Sequence, residues 1–284
     1  MRFRLDQTGN PVRAARMSYD AHIGRTETRT DVVSPDMLHR MAATLGVQTP
    51  DQVPPGWHWT LFQDRVPPDR LGPDGHPRRG GFLPPVHDLP RRMWAGGEVR
   101  LLAPLRAGDG VTRTSTIRSV QDKTGGTGRL VFVTVDHVIT GPSGPAIAER
   151  QDLVYRGAEG AAVKAADPAP SVVAEQDRIV QPDPVLLFRY SALTGNGHRI
   201  HYDADYVRGE EGYPGLVVHG PLQATWMAAL PGIALSRFSF RGRRPAFAGM
   251  PLRLQAWQDG PGWRMRTLDP SGAACLEGEA APCS

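Results

Sequence analysis

The residues best suited to chemistry in this chain lie close together in one stretch, SALTGNGHRIHYD, from Ser191 to Asp203. It contains two imidazoles, His198 and His201, together with the amide of Asn196. An imidazole takes up and releases protons near neutral pH, and an amide holds a water molecule by hydrogen bonds. This set of groups indicates acid–base catalysis in which water takes part.

The segment that follows, YPGLVVHGPLQATWM, adds a second kind of group. Gly220 and Pro221 open an apolar helix, and the first N–H groups of a helix have no intrahelical partner and lie at its positive pole. The N–H of Gly220 can therefore receive an oxyanion. A base, a water-holding amide and an oxyanion donor suit the addition or removal of water across a double bond conjugated to a thioester.

Three other interpretations of the cluster stay open at this point. Asn196 and His198 could simply cap backbone groups of a polar loop. His198, His201, Asp203 and His219 could bind a metal ion, although His-x-x-His lacks the i, i+4 spacing of helical ligands. A covalent hydrolase is disfavoured, because the chain has no G-x-S-x-G turn and neither cysteine has a site-like context.

The long segment FRYSALTGNGHRIHYDADYVRGEEGYPGLVVHGPLQATWM resembles the hydratase motif of the MaoC-like hot dog proteins. Within that family it is similar to the branch of hydroxyacyl-thioester dehydratase type 2 and mesaconyl-C4-CoA (3-methylfumaryl-CoA) hydratase. Three further stretches, IGRTETRTDVVSPDML, GGFLPPVHDLPRRMWAGGEV and FSFRGRRPAFAGMPLRL, resemble the same branch. The likeness thus extends from about Ile23 over nearly the whole chain.

The resemblance implies an α+β double hot dog, in which two antiparallel sheets each wrap around a helix and an acyl-thioester tunnel runs between the halves. It implies that His201 is the catalytic histidine and that the N–H of Gly220 polarises the thioester carbonyl. Asn196 stands where the wider family usually has Asp, as it does in the narrower branch. Because an amide does not exchange a proton as a carboxylate does, we expect His201 to carry proton transfer and Asn196 to orient the water.

Substrate contacts are predicted from the same resemblance and from charge. Arg199 and Arg189 are candidates to pair with the free carboxylate of a dicarboxylic half-thioester, because guanidinium binds carboxylate bidentately. Trp94 is expected to line the tunnel, and Arg91 or Arg92 to lie near the CoA phosphates. Solvent-exposed ion pairs explain these arginines equally well.

The expected function is reversible hydration of an enoyl thioester, with mesaconyl-C4-CoA hydratase or a close relative as the first choice. Alternatives are a 3-hydroxyacyl dehydratase acting on CoA or carrier-protein thioesters, a thioesterase, and a non-catalytic module that binds acyl-CoA. Asp203 is expected to cap the turn that follows it, and His219 to pack at the entrance of the buried helix. We expect no metal and no cofactor.

The elements around the motif follow from periodicity. PDPVLLFRYSALTG predicts a helix with Asp183 as N-cap before Pro184, and a second helix, buried on most sides, is expected from near Pro221 to Pro231. Alternating apolar and polar residues then predict an antiparallel strand meander. The first half repeats this order loosely and has a helix after Ser34. It differs in two respects: GWHWTLF stands in place of the buried helix, and a loop is expected from Leu71 to Gly97.

The domain boundaries are set by a change in composition. Ala, Gly and Pro replace the patterned segments at residues 157–175, which predicts a linker there. We therefore expect an extension at 1–22, a non-catalytic half at 23–156 and a catalytic half at 176–284.

Composition narrows the class of protein. The 284 residues are 40% hydrophobic and 22% charged with a net charge of +4, and the arginines are dispersed, which disfavours nucleic-acid binding. No apolar run reaches the roughly 18 residues of a membrane span, and no signal core is apparent near the N-terminus. Two cysteines, Cys275 and Cys283, are too few for a disulfide framework.

We expect a cytoplasmic homodimer that binds an acyl-CoA or acyl carrier protein thioester.

Overall fold

The computed structural model describes residues 19–125, 128–158 and 166–283. Ten strands are present in these ranges: β1 Thr26–Val32, β2 Arg91–Leu101, β3 Gly110–Gly125, β4 Gly128–Gly141, β5 Gly144–Arg156, β6 Gln176–Val180, β7 Leu235–Gly242, β8 Leu252–Asp259, β9 Gly262–Leu268 and β10 Ala274–Pro282. The α-helices are α1 Pro35–Leu45, α2 Pro184–Thr194, α3 Ala204–Gly209 and α4 Gly220–Ala229.

The strands form one sheet in the order β1-β3-β4-β5-β2-β7-β10-β9-β8-β6. The first five and the last five strands follow the same order within their halves, which confirms the predicted repeat of one fold. Antiparallel pairing of β2 with β7 joins the halves edge to edge. The two predicted antiparallel sheets are present as two half-sheets, which are hydrogen-bonded into one ten-stranded sheet.

Local sequence explains the central strands and helices. In β4 the side chains of Val131, Val133, Val135 and Ile139 alternate with less buried residues, as expected for a strand with one face on the core. Helix α2 begins where Asp183 accepts a hydrogen bond from the N–H of Leu186, which confirms the predicted N-cap.

Helix α4 lies against the strands of the second half and is buried on most of its surface, as predicted. In the first half this place is taken by a short 3-10 turn, Trp57–Thr60. Trp59 of this turn packs edge-on against Trp94 of β2 and Phe240 of β7, with ring centroids 5.0 and 5.7 Å away. An aromatic cluster therefore fills the join between the halves.

The predicted loop from Leu71 to Gly97 is wrong in its last seven residues, because β2 begins at Arg91. The glycines and the preceding proline of that segment indicate a loop, but pairing with β5 and β7 on both sides makes it a strand. Strand β6 and helix α3 are absent from the sequence prediction.

The domain boundaries stay a prediction. Residues 1–18 of the predicted extension and 159–165 of the predicted linker lie outside the described residues.

A buried polar cluster lies beneath the first half-sheet. Glu149 accepts hydrogen bonds from Trp59 Nε1 at 2.9 Å and from His58 Nε2 at 3.2 Å, and all three side chains are largely or fully buried. Burial raises the pKa of Glu149, but the hydrogen bonds from His58 and Trp59 and the charges of His58 and His137 together leave the pKa below its usual value. The 3-10 turn is thus fixed to β5 by an ionised carboxylate.

Replacing Glu149 with Ala is expected to lower the free energy of unfolding by about 3 kcal/mol, because two buried ring nitrogens lose their acceptor. Urea-induced unfolding followed by tryptophan fluorescence measures this. The control is Glu277→Ala, which removes the exposed pair with Arg243 and should cost less than about 1 kcal/mol. Equal losses in the two variants would contradict the structural role of Glu149.

Candidate active site

His201 is held by a backbone acceptor that fixes which nitrogen carries the proton. Its ring is buried, and Nδ1–H donates a hydrogen bond of 2.7 Å to the carbonyl of Val217. The N–H of Val217 in turn donates to the carbonyl of Ile200 at 2.9 Å. Nε2 is therefore the nitrogen with a free lone pair, as a general base requires.

His219 connects this base to the start of α4. Its ring stacks on that of His201 with 3.6 Å between centroids, and Nε2 is hydrogen-bonded to the hydroxyl of Ser191 at 2.9 Å. The side chain is fully buried, and His219 is the residue before the first turn of α4. Its predicted packing at the helix entrance is confirmed.

Gly220 is the first residue of α4, so its N–H points away from the helix at the positive pole. A Cβ built on Gly220 would meet no atom within 4 Å, and its φ is not in the left-handed region. Neither packing nor backbone conformation thus requires glycine here. The open space beside this N–H is where an acyl carbonyl could approach.

Asn196 follows the left-handed Gly195 that ends α2, and its side-chain oxygen accepts a 3.0 Å hydrogen bond from the N–H of His198. This is the backbone-capping contact that the polar-loop interpretation predicts. The NH₂ of the same amide can still donate hydrogen bonds, but an amide does not take up a proton as a carboxylate does. Asn196 can therefore orient the oxygen of a water molecule, while the proton of that water must go elsewhere.

The pKa values of the imidazoles are shifted in the direction that keeps them neutral. Burial lowers the pKa of His201 to about 4, against the opposing effect of the Val217 hydrogen bond. Burial, reinforced by the neighbouring His76 and His201, lowers the pKa of His198 to about 2, and burial also places that of His219 well below 6.5. At neutral pH the three imidazoles are uncharged.

A loop of the first half reaches this site, and the sequence gives no signal for it. His76 Nδ1 is hydrogen-bonded to Asp74 at 3.0 Å, and the ring of His76 lies 4.3 Å from that of His198. The backbones meet at Gly75 and Gly197, where a Cβ on either residue would collide with the carbonyl oxygen of the other. About 120 residues separate the two loops, so no local pattern could predict the contact.

One cluster has the donor atoms for a metal ion. Ligand atoms of Asp74, His76 and His198 lie within 4.8 Å of one another. Asp74 and His76 are already hydrogen-bonded to each other. Within the described residues, His201 and Asp203 of the metal-ligand set considered from the sequence do not belong to this cluster. His201 Nδ1 is bound to Val217, and the expectation of no metal stays a prediction.

The carboxylate of Asp203 caps a helix and pairs with an arginine rather than with His201. Oδ1 caps α3 by accepting from the N–H of Tyr206 at 3.0 Å, which confirms its predicted capping role. Oδ2 accepts from Arg199 at 2.7 Å, and Arg199 also lies over the ring of Tyr206. Arg199 is therefore already paired with a carboxylate, which counts against its predicted contact with the substrate.

The remaining predicted substrate contacts lie in different surroundings. Arg189 is exposed on α2, and Arg91 is largely buried in an ion pair of 3.0 Å with Glu211 of the second half. Trp94 lies in the aromatic cluster at the join and donates from Nε1 to the carbonyl of Gly96. Arg92 is half-buried and lies opposite Tyr155 in the register of β2 and β5, and its charge contributes to lowering the pKa values of His76 and His198. Their roles as substrate contacts stay predictions.

Comparison with protein families and curated proteins gives matches over most of the chain. A family model described as hydroxyacyl-thioester dehydratase type 2 matches residues 56–248. The chain is 46% identical over 267 residues to mesaconyl-C(4)-CoA hydratase of Chloroflexus aurantiacus, covering 90% of this chain and 95% of that protein. It is 27% identical over 285 residues to the mitochondrial hydroxyacyl-thioester dehydratase type 2 of Schizosaccharomyces pombe, covering 84% and 94%.

Solved structures show the same fold. HtdX of Mycobacterium tuberculosis superimposes with a TM-score of 0.69 at 15% identity, covering 91% of this chain and 99% of that chain. A second protein of that organism, described as a double hot dog fold, gives a TM-score of 0.54 at 12% identity over 91% and 95%. The predicted fold class is confirmed. Within the described residues, no helix combines the length and the apolar character needed to cross a membrane.

We expect kcat/KM to stay constant from pH 8 to about pH 5 and to decline only as the pH falls through about 4. The reason is that the base must be unprotonated, and burial holds the pKa of His201 near 4 in the free protein. Initial rates across this range, with circular dichroism at each pH to verify folding, measure the profile. A decline centred near pH 6.5 would show a solvated histidine and contradict the buried geometry.

Proposed function

The chain belongs to the hydroxyacyl-thioester dehydratase type 2 family, and we propose that it catalyses reversible addition of water to the double bond of an enoyl-CoA thioester. Proteins of this kind are hydro-lyases. The observation that supports the proposal is the hydrogen bond from His201 Nδ1–H to Val217, which leaves the lone pair of Nε2 available, while the ring of His201 stacks on His219, the residue before Gly220.

The reaction follows from these two groups. Nε2 of His201 takes a proton from water while the water oxygen bonds to C3 of the enoyl group. The electron pair of the C2–C3 double bond moves through C2 to the thioester oxygen, where the N–H of Gly220 stabilises the enolate. The imidazolium then returns the proton to C2, and dehydration reverses each step.

The magnitudes are adequate for an activated thioester. One positioned base contributes about 10²- to 10⁴-fold in rate and one oxyanion donor about 10²- to 10³-fold. Asn196 adds orientation by donating from its NH₂ to the water oxygen. A carboxylate at position 196 is not needed as a base, since His201 performs both proton transfers.

The preferred substrate is mesaconyl-C4-CoA or a closely related half-thioester. The support is the 46% identity to a mesaconyl-C(4)-CoA hydratase over nearly the full length of both chains. Dehydration of a 3-hydroxyacyl thioester is the second candidate, supported by the family description and the fission-yeast relative. A non-catalytic acyl-CoA-binding module would have no need of the oriented base at His201.

The proposal extends to the carrier, the assembly and the compartment. CoA is the carrier, two chains form a homodimer, and the protein acts in the cytoplasm. Cys275 and Cys283 are both unpaired, as is usual in a reducing compartment. Size-exclusion chromatography with light scattering tests the assembly.

Replacing His201 with Ala is expected to lower kcat by at least a hundredfold, because the proposed base is lost. The assay follows loss of the conjugated absorbance of mesaconyl-C4-CoA and crotonyl-CoA, together with release of free thiol, which would identify a thioesterase. The matched control is His39→Ala, on the exposed face of α1, which should retain full activity. Full activity of His201→Ala would remove the assignment of the base.

Replacing Gly220 with Ala is expected to leave the melting temperature within about 2 °C, because the added methyl group meets no atom of the protein and the backbone is unstrained. The methyl group does occupy the space beside the oxyanion N–H, so we expect kcat/KM to fall by at least about tenfold. Thermal unfolding and steady-state kinetics on the same preparation separate the two effects. Unchanged kcat/KM would show that the acyl group binds elsewhere.

A further inference from the structure

The ring of His219 lies face to face with the ring of the proposed base. The two ring centroids are 3.6 Å apart and the planes are inclined by 17°, so one imidazole face covers the other. Both residues are buried, His219 completely and His201 with 6% of its surface exposed. One face of His201 is therefore in contact with an aromatic ring and not with solvent.

Helix α2 fixes the orientation of the His219 ring. Nε2 of His219 is hydrogen-bonded to the hydroxyl of Ser191 at 2.9 Å. The ring of Tyr190, the preceding residue of α2, packs edge-on against the same imidazole with 4.9 Å between centroids. Both α2 residues are buried. The imidazole is thus held by α2 while its face lies against His201.

Helix capping and packing do not account for an imidazole at this position. Asp183 and Asp203 precede α2 and α3, and each side chain accepts a hydrogen bond from an N–H of its helix. His219 has the same place before α4, but its side chain makes no such bond. Its Nδ1 is buried and has no hydrogen-bond partner among the described residues. An apolar side chain would fill the space without leaving a buried polar atom unpaired.

The proposed reaction places a positive charge on the buried ring of His201. After Nε2 takes a proton from water, the ring is an imidazolium, and burial disfavours this charged form. The carbonyl of Val217 already accepts from Nδ1–H on one edge of the ring. The face of a neutral aromatic ring carries partial negative charge and attracts a cation. His219 presents such a face at 3.6 Å.

The other titratable groups around the two rings are neutral or already paired. His198 lies edge-on to His201 with 5.7 Å between centroids, and burial lowers its pKa to about 2. His76 lies beyond His198 and is hydrogen-bonded to Asp74. Burial raises the pKa of Tyr190 and keeps its hydroxyl neutral. These neighbours supply no unpaired carboxylate to the imidazolium.

Two imidazoles stacked so closely hold only one proton between them. Burial, reinforced by the charge of His201, places the pKa of His219 well below 6.5. Nε2 of His219 is engaged with Ser191, whereas Nε2 of His201 has an available lone pair. The proton therefore goes to His201, and His219 stays a neutral ring.

We propose that His219 is a positioning residue for the hydration reaction, whose neutral ring, oriented by Ser191, stabilises the imidazolium that His201 forms. The inference rests on the proposed hydratase function and deepens it. His219 acts through His201 and needs no contact with the acyl group. The stacked pair thus determines how strongly the base holds its proton during the reaction.

The first experiment separates the aromatic face of His219 from its nitrogens. His219→Phe retains a flat ring and removes both nitrogens, whereas His219→Leu fills the space without an aromatic face. Ser191→Ala retains the imidazole and removes the group that orients it. The values of kcat and KM for crotonyl-CoA are measured as a function of pH for each variant, with circular dichroism to verify folding.

The first half of the chain provides a matched control. His137 is also buried and hydrogen-bonded to a serine, with 2.8 Å between its Nδ1 and the hydroxyl of Ser115, but it lies on β4. His137→Leu and Ser115→Ala therefore remove the same kinds of group away from the candidate site. Both variants should retain the kcat of the wild type per folded molecule.

We expect His219→Leu to lower kcat about fivefold with KM little changed, because the transition state carries part of the positive charge on His201. The imidazolium is then less stable, so the pKa of His201 read from the acid limb of kcat should move lower by up to about one unit. His219→Phe should retain most of kcat. Ser191→Ala should lie between the Phe and Leu variants.

Equal losses of kcat in His219→Phe and His219→Leu, or an unmoved acid limb in His219→Leu, would overturn the role of the ring face. An equal loss in His137→Leu would also overturn it, because the effect would then be one of general stability. Absence of hydratase activity in the wild type on every enoyl thioester would instead overturn the proposed function.

A second measurement requires neither activity nor the folding of a variant. Nitrogen NMR of the wild type labelled with ¹⁵N-histidine shows which rings are protonated. As the pH is lowered, His201 should take up its proton while both nitrogens of His219 keep the chemical shifts of a neutral ring. Protonation of His219 before His201 would overturn this inference and leave the hydratase function intact.

Discussion

The hydrogen bond between His201 Nδ1–H and the carbonyl of Val217 is the contact on which the rest of the site depends. It selects the tautomer that leaves Nε2 free, and it ties His201, the proposed base, to a segment only three residues from Gly220, the proposed oxyanion donor. A second hydrogen bond, from the N–H of Val217 to the carbonyl of Ile200, strengthens this connection. The separation of His201 and Gly220 is therefore set by covalent geometry and two hydrogen bonds rather than by loop packing.

The two halves repeat one strand order but have diverged in what they contribute. The second half keeps the central helix α4 and with it the positive pole that an oxyanion needs. The first half replaces that helix with the turn Trp57–Thr60, fixed by Glu149, and its loop around His76 reaches His198 of the second half. The candidate site is thus built from both copies of the same fold.

The sequence predicts features that are local in the chain. The Asp183 cap, helix α4, the capping role of Asp203 and the alternation of β4 each depend on residues within one turn or one strand, and each is observed. The contacts that complete the site are not local. Pairing of β2 with β7, the ion pair of Arg91 with Glu211 and the approach of His76 to His198 each join residues more than 100 positions apart, so no periodicity or cap indicates them.

Burial keeps the imidazoles of this site uncharged. It lowers the pKa values of His198 and His201 far enough to leave both neutral at physiological pH. An anionic acyl group bound beside His201 would favour the imidazolium form and raise the pKa of His201 towards neutrality. A base that is too weak in the free protein would then be strengthened by the substrate itself, in the complex where proton transfer occurs.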